Sequence, residues 1–197
     1  MKKIMMMLVM ATVAMTASAQ NTLRDNGTIT LQPKLGVGIG VLSGEWTTAP
    51  GVDNKTRTGF VAGVEGEYYV NDWLGIAAGL NYAQQGWKFE GGGVDETTKL
   101  DYLNIPLTAD FYVAKGLALK TGVQFGFLMN AKIEGDDIKD ACEKLNLSIP
   151  IGVSYEISDF VIDLRYNLGL NKTNKADNGS KARSDLFQVT LGYKFAL

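Results

Sequence analysis

The sequence predicts an all-β fold, an eight-stranded antiparallel up-and-down transmembrane β-barrel with a polar filled lumen. Three observations predict it. Apolar residues occupy every second position in eight segments, which is the pattern of strands with two different faces. Tight turns alternate with long polar connections along the chain. The face opposite the apolar one carries equal numbers of acidic and basic side chains, which suits a polar interior.

The first 19 residues have the features of a secretory signal peptide. Lys2-Lys3 forms a basic start, residues 4–15 an apolar stretch, and Ala17-Ser18-Ala19 a small-residue cleavage pattern. The alternative is a membrane anchor, but twelve apolar residues are fewer than the ~20 that a spanning helix needs. We therefore expect export, with cleavage near Ala19-Gln20.

After removal of residues 1–19, the chain divides into a short N-terminal periplasmic segment, residues 20–28, and the barrel, residues 29–197. It retains 17 basic and 21 acidic side chains, so it has no basic footprint for nucleic acid. The single cysteine, Cys142, cannot form an internal disulfide, and we interpret it as an incidental thiol. The mature chain has no apolar run near eighteen residues and therefore no candidate transmembrane helix.

Each alternating segment is long enough for the ~9–11 residues of a membrane strand. The segments are residues 29–42, 59–70, 73–87, 103–113, 117–133, 145–157, 160–171 and 186–197. In the third, the apolar parity slips near Gln84-Gln85, which predicts a β-bulge.

The connections predict the orientation of the barrel. Three of them are tight turns: VNDW, AKG and ISD. Four are long and polar: residues 43–58, 87–99, 134–144 and 172–185. Both termini then lie on the short-turn side, and in an outer-membrane barrel that side is periplasmic while the four longer loops are extracellular.

The non-apolar face carries the residues that we predict to form a charge network in the lumen. An eight-stranded barrel is just wide enough for side chains to fill, so these charges must pair. They are Lys34, Glu65, Glu67, Asp110, Lys120, Lys132, Glu156, Asp163, Arg165 and Lys194. The functional alternative is an ion or proton path along the same residues.

A soluble barrel would turn these charges outward instead. The uninterrupted apolar face and the many small residues opposite it favour the membrane barrel. So do aromatic residues near both strand ends, which predict two interfacial girdles. On the turn side these are Tyr68, Tyr69, Trp73, Phe111, Tyr112, Tyr155, Phe160, Tyr193 and Phe195; on the loop side they are Tyr82, Trp87, Tyr102 and Phe187.

Two prolines interrupt predicted strands at equivalent positions, Pro106 in LNIPLTADFYV and Pro150 in LSIPIGVSYEI. Their parity places both on the lumen side, where polar groups or water can replace the lost ladder bond. We expect a local bulge or bend at each. Asp110, on the same face as Pro106, is expected to face Lys120 on the next strand.

The block DYLNIPLTADFYV, residues 101–113, resembles the outer membrane protein beta-barrel domain family of Bacteroidetes, the PorT-like porin group. The resemblance continues through residues 122–132, 163–173 and 186–197, in family order. It implies an OmpX- or OmpA-type barrel inserted by the outer-membrane assembly machinery. Asp110 stands where a basic residue is common, and Ala196-Leu197 extend past the usual closing aromatic.

Catalysis and cofactors are not expected. A nucleophilic serine needs a base, and the chain has no histidine. One cysteine without histidine cannot supply a zinc site. The acidic loop from Glu134 to Glu143 lacks the spacing of a calcium loop, which favours a solvated loop over a calcium site. We predict no catalytic, cofactor-binding or metal-binding residue.

Two functions remain open. The first is a non-enzymatic outer-membrane barrel with a structural role, or a role in surface interaction through its loops. The second is transport, either as a narrow channel or, as the resemblance implies, as an accessory of protein secretion. A soluble lipocalin-like binder is a third alternative. The expected partners are outer-membrane lipid, the barrel assembly machinery and a protein or surface at the loops, in a Bacteroidetes-like Gram-negative bacterium.

Overall fold

The computed structural model describes residues 26–43, 53–91, 94–171 and 183–197. Within these residues, eight long strands form one antiparallel sheet. The strands are β1 (Ile29–Ser43), β2 (Asp53–Asn71), β3 (Leu74–Gly91), β4 (Val94–Ala114), β5 (Leu117–Ile133), β6 (Leu145–Ile157), β7 (Phe160–Gly169) and β8 (Arg183–Tyr193). Shorter elements are two-residue strands at Asp136–Asp137 and Phe195–Ala196, and a 3-10 turn at Lys139–Ala141.

The sheet closes because β1 pairs with β8 as well as with β2. This pairing runs from Lys34 opposite Gly192 to Ser43 opposite Arg183, and Phe195–Ala196 continues along the same edge of β1. Closure leaves the barrel strands without a free edge, which a sheet in lipid requires. The predicted fold class is confirmed.

Several predicted elements lie outside the described residues. They are the signal peptide, residues 20–25 of the periplasmic segment, and residues 44–52 and 172–182 of the first and last loops. In the described part of the chain, no helix has the length and apolar character to cross a membrane.

The two faces of the sheet reverse the arrangement of a soluble barrel. Large apolar side chains point outward and are exposed, among them Trp73 (55%) and Ile151 (55%). Charged side chains point inward and are buried, among them Arg165 (1%) and Asp110 (0%). An apolar exterior around a polar interior is the pattern of a barrel surrounded by lipid.

The aromatic girdles are less complete than the sequence predicts. Tyr68, Trp73 and Phe195 are exposed on the turn side, as expected. Tyr69, Tyr102 and Tyr112 are buried instead. They share strand parity with the lumen charges, so the period of two directs their rings inward although they lie near strand ends.

Pro106 and Pro150 do face the interior, but neither produces the expected bulge. Between β3 and β4, paired positions are missing opposite Pro106, from Ala78–Leu107 to Asn81–Asn104, without a change of register. The ladder between β5 and β6 is interrupted in the same way opposite Pro150. Each proline lacks a ladder N–H, so the hydrogen bonding stops locally while the strands remain in register.

The parity slip predicted in β3 near Gln84-Gln85 is wrong, because β3 keeps its register with β4 there, and the register shift lies on the neighbouring strand β2. The register of β2 and β3 shifts between Thr56 and Val61, opposite residues 84–86. Gly86 adopts φ +134°, a conformation open to glycine but not to residues with a Cβ atom.

The predicted loop 87–99 is wrong, because strand pairing continues almost to its tip. β3 and β4 remain paired up to Gly91 opposite Val94. β2 follows β3 as far as Asp53 opposite Glu90, and β5 pairs with β4 to Ile133. We call this extension the projecting sheet, residues 53–58, 86–91, 94–101 and 130–133. It carries the barrel wall beyond the apolar belt on the loop side.

Candidate functional site

The candidate site is the set of charged side chains enclosed by the eight strands. The structure brings nine of the ten predicted network residues into the interior. They lie at two levels: a middle cluster of Lys34, Glu65, Asp110, Lys120, Asp163 and Arg165, and a turn-end cluster that contains Glu67, Glu156 and Lys194.

The middle cluster is centred on Glu65. Arg165 donates to both of its carboxylate oxygens, Nη1 to Oε1 at 2.9 Å and Nη2 to Oε2 at 3.2 Å. Lys34 donates to Oε1 from β1. A bidentate pair with a planar guanidinium is among the strongest ion pairs and fixes the orientation of both groups.

A second part of the middle cluster surrounds Lys120. Its Nζ lies 2.9 Å from Asp110 Oδ2 and 3.2 Å from Asp163 Oδ2. Asp163 Oδ2 also accepts a hydrogen bond from Arg165 Nη2 at 2.9 Å, which links the two parts. Asp110 faces Lys120 across the β4–β5 ladder, as the sequence predicts.

The turn-end cluster surrounds Lys194. Its Nζ donates to Glu67 Oε2 at 2.8 Å and to Glu156 Oε1 at 2.5 Å. It also lies 2.9 Å from the hydroxyl of Tyr69 and 3.2 Å from that of Tyr112. Sequence reasoning missed the two tyrosines as site residues, although their parity with Glu67 and Asp110 is the signal that places them inside.

Glycines on β3 leave the space that the two glutamates occupy. A Cβ atom on Gly75 would lie 2.1 Å from Glu67 Oε1, and one on Gly79 would lie 2.4 Å from Glu65 Cγ. Both distances are shorter than real Cβ contacts, so a side chain at either position would displace the facing glutamate.

The loop end of the interior contains an apolar cluster, which the sequence did not predict. Leu100, Tyr102, Leu128 and Ala131 form a buried cluster with Cys142 from the connection between β5 and β6. Trp87 and Ile138 pack against it. Cys142 is therefore a packing residue of this cap.

Lys132 is the predicted network residue that lies elsewhere. Its side chain is exposed, whereas the neighbouring Ala131 is 0% exposed. The register of β4 and β5 shifts between Asp101 and Tyr102, so β5 contains one extra residue. An extra residue reverses the alternation beyond it, and Lys132 turns outward.

Asp185 is a buried residue that sequence reasoning assigned to a loop. It is 1% exposed and accepts hydrogen bonds from the Tyr166 hydroxyl at 2.6 Å and from the Gly169 amide at 2.9 Å. No alternation signal reveals it, because Ser184, Asp185 and Leu186 are buried in succession.

The interior ion pairs connect strands across the lumen. The interior carboxylates contact ammonium, guanidinium and hydroxyl groups at hydrogen-bonding distances. In the described ranges, no three side chains of the types that bind metals are placed to hold one ion. The described side chains pair across the interior and fill it at the middle and turn-end levels.

The sequence that forms this barrel matches a known protein family. The model of the "Outer membrane protein beta-barrel domain" family matches residues 18–175. The chain belongs to this family. It is accordingly a protein of the Gram-negative outer membrane, with the apolar outer face of its barrel against lipid.

The chain resembles solved outer-membrane barrels in fold. The chain is similar to Ail, the attachment invasion locus protein of Yersinia pestis, with 17% identity over 86% of this chain and 99% of that one, at a TM-score of 0.52. Neisserial surface protein A matches with 19% identity over 85% and 97%, at 0.53. OprG from Pseudomonas aeruginosa matches with 11% identity over 87% and 97%, at 0.51. No curated protein sequence matches the chain.

Proposed function

We propose that this protein is a non-enzymatic outer-membrane barrel that acts at the cell surface through its loops and its projecting sheet. The observation that carries the proposal is the continuation of four strands beyond the apolar belt, above an interior held by ion pairs. A rigid sheet edge and loops held on a stable barrel form a surface on which a protein or glycan can dock.

The filled interior favours this role over a channel. A solute crossing the barrel would have to separate Arg165 from Glu65 at the middle level and Lys194 from Glu67 at the turn end. Leaving one member of a buried ion pair uncompensated costs about 3–5 kcal/mol, so the closed arrangement dominates.

Two experiments test the proposal. Purified protein in planar bilayers is expected to show no steady current, and a steady, substrate-selective conductance would contradict the proposal.

The second experiment is done in cells, where residues 88–97 of the β3–β4 hairpin are replaced by a short Gly-Ser turn. We expect the barrel to fold while crosslinked surface partners in native outer membranes are lost. The matched control inserts the same turn in place of the Lys115-Gly116 turn at the periplasmic end and should retain the partners.

A second candidate is an accessory role in protein secretion. The resemblance of residues 101–113 and 163–173 to PorT-like barrels supports it, together with the expected host, a Bacteroidetes-like bacterium. Normal secretion in a strain that lacks the protein would exclude this role.

The expected removal of the signal peptide has its own test. Mass spectrometry of the mature protein should show Gln20 as its N-terminal residue.

The assembly machinery of the outer membrane and membrane lipid are the proposed partners of either role. Among the structural neighbours, Ail has also been solved with the heparin analogue sucrose octasulfate, at 18% identity to this chain and a TM-score of 0.51. At that identity the likeness concerns the fold, so the proposal of a surface partner rests on the projecting sheet of this chain.

A further inference from the structure

Among the described residues, buried polar atoms without a protein hydrogen-bond partner are concentrated on one wall of the lumen. This wall is formed by three neighbouring strands, β7, β8 and β1. The atoms are Thr30 Oγ1, Gln32 Nε2, Asp163 Oδ1, Arg165 Nε, Asn167 Oδ1, Gln188 Nε2 and Thr190 Oγ1. The residues that carry them are at most 4% exposed. We call these residues the polar wall.

The strand register places the central residues of the polar wall in one block. Asp163 on β7 is directly opposite Thr190 on β8, and Arg165 is directly opposite Gln188. Residues directly opposite on one face of an antiparallel pair have Cβ atoms about 4.5–5.5 Å apart. Asn167 belongs to the same block, because its Nδ2 donates to Gln188 Oε1 at 3.4 Å. The atoms without partners therefore lie on neighbouring side chains.

Each charged or amide group in this block already uses one of its polar ends. Arg165 donates from Nη1 and Nη2 to carboxylates, which leaves Nε. Asp163 Oδ2 accepts from Lys120 and Arg165, which leaves Oδ1. Gln188 accepts from Asn167 through Oε1, which leaves Nε2. These groups cannot rotate toward new partners without breaking the hydrogen bonds that they already make.

Strand β1 supplies no side chain that completes the block. Its residues opposite Thr190 and Gln188 are Gly36 and Gly38. A Cβ atom on Gly36 would lie 2.0 Å from the carbonyl oxygen of Val189, so no side chain fits there. A buried donor or acceptor that stays unpaired costs the desolvation free energy of its group, and for the whole wall this cost is comparable with the net stability of a small domain. The wall therefore needs a partner that is not protein.

We propose that the polar wall binds ordered water molecules inside the barrel. Its unpaired atoms include donors, at Arg165 and Gln188, and acceptors, at Asp163 and Asn167. Water both donates and accepts, whereas an anion would lie against the Asp163 carboxylate and a cation against the Arg165 guanidinium. A buried water makes about three hydrogen bonds, so about two or three molecules are enough for this wall.

This water connects the closing strand of the barrel to the middle cluster. The charged residues of that cluster lie on β1, β2, β4, β5 and β7. Water between Thr190 and Asp163, and between Gln188 and Arg165, joins β8 to the cluster through hydrogen bonds nearly as favourable as direct ones. The site belongs to the closed barrel, so it does not depend on the projecting sheet or on a surface partner.

The first experiment detects the bound water directly. Rotating-frame cross-relaxation spectra are recorded on isotope-labelled protein in lipid nanodiscs, where contact with water and proton exchange give signals of opposite sign. We expect contact signals between water and the protons on Gln188 Nε2 and Arg165 Nε. Thr190→Val, which removes a hydroxyl at nearly constant volume, should weaken these signals, and Thr190→Ser should retain them. No contact signal at either group in the natural chain would overturn the proposal.

The second experiment uses the sign of a stability change. If the Thr190 hydroxyl has no partner at all, Thr190→Val removes an unpaired polar group and raises the urea midpoint of unfolding in lipid vesicles. If water is bound, the same change removes a water-mediated hydrogen bond, and we expect the midpoint to fall. A higher midpoint for Thr190→Val would contradict the proposal.

Thr108→Val is the matched control for Thr190→Val. Thr108 is buried, and its hydroxyl donates to Asp110 Oδ1 at 2.9 Å, so its partner is protein. This variant should lower the urea midpoint but leave the water signals at Gln188 and Arg165 unchanged. Equal weakening of those signals in both variants would show that they do not report water at the polar wall. Folding of each variant is checked by its heat-dependent shift in SDS gels.

Discussion

Arg165 and Glu65 form a bidentate ion pair through the interior of the barrel, although 100 residues separate them in the chain. They lie on β7 and β2, which are not neighbours in the sheet. The pair thus connects two non-adjacent strands across the lumen. We call the interior ion pairs that connect strands in this way the brace. Lys34, Lys120 and Asp163 extend this brace to other strands.

Removal of Arg165 tests the brace. Arg165→Met is expected to lower the free energy of unfolding by about 3–5 kcal/mol, because Glu65 and Asp163 lose their guanidinium partner in a buried site. The measurement is urea unfolding in lipid vesicles. The double variant Glu65→Leu/Arg165→Met should be less destabilised than the two single losses together, since it removes the uncompensated carboxylate as well.

Lys132→Met provides the matched control for Arg165→Met. Lys132 was expected in the network but is exposed, so its replacement should change the free energy of unfolding by no more than about 0.5 kcal/mol. Equal effects of Arg165→Met and Lys132→Met would show that the interior ion pairs do not stabilise the barrel.

Gly122 on β5 is predicted to be intolerant of any side chain. A Cβ atom there would lie 2.0 Å from the carbonyl oxygen of Leu107 on the neighbouring strand. Gly122→Ala must displace backbone and should cost at least about 1–3 kcal/mol of unfolding free energy, or prevent folding. At Gly66 the nearest atom would be 3.8 Å away. Gly66→Ala should therefore fold like the natural chain, and an identical loss in both variants would count against the packing described.

Pro106 is expected to be replaceable. The ladder between β3 and β4 is already interrupted opposite it, so Pro106→Val restores an N–H without disturbing the register. We expect a folded, heat-shifting barrel with unfolding free energy changed by less than about 1 kcal/mol. Leu107→Pro is the control, since Leu107 pairs with both Ala78 and Val123. Leu107→Pro should destabilise the barrel. If both variants are equally stable, the interrupted ladder is not what makes position 106 tolerant of substitution.

Cys142 should be protected from thiol reagents in the folded protein. It is 6% exposed and packs in the apolar cap with Leu100 and Tyr102. We expect labelling by a water-soluble maleimide to be slow in lipid vesicles and fast in urea. The control, Cys142→Ser/Asp140→Cys, places the thiol at an exposed position of the same connection and should react quickly in both states. Rapid labelling of Cys142 in the folded barrel would show that the cap opens.

Pairing between adjacent strands could be predicted from the sequence. The turn at Lys115-Gly116 is short, so it aligns β4 with β5 and places Asp110 opposite Lys120. The direction of each face also follows from alternation alone, as for Arg165 and Asp163. The placement of Lys132 in the lumen was wrong for a local reason. Lys132 lies beyond a register shift that no residue pattern marks.

The sequence by itself determined the number of barrel strands, their order and which face of each strand is wet, because the period of two is a property of single strands and their short turns. Only the tertiary structure decided which charges meet across the lumen, where an apolar cluster forms inside the barrel, and how far the strands project. Those features depend on the stagger and closure of the whole barrel, which bring Arg165 to Glu65 and Cys142 to Leu100 over distances that no local pattern encodes.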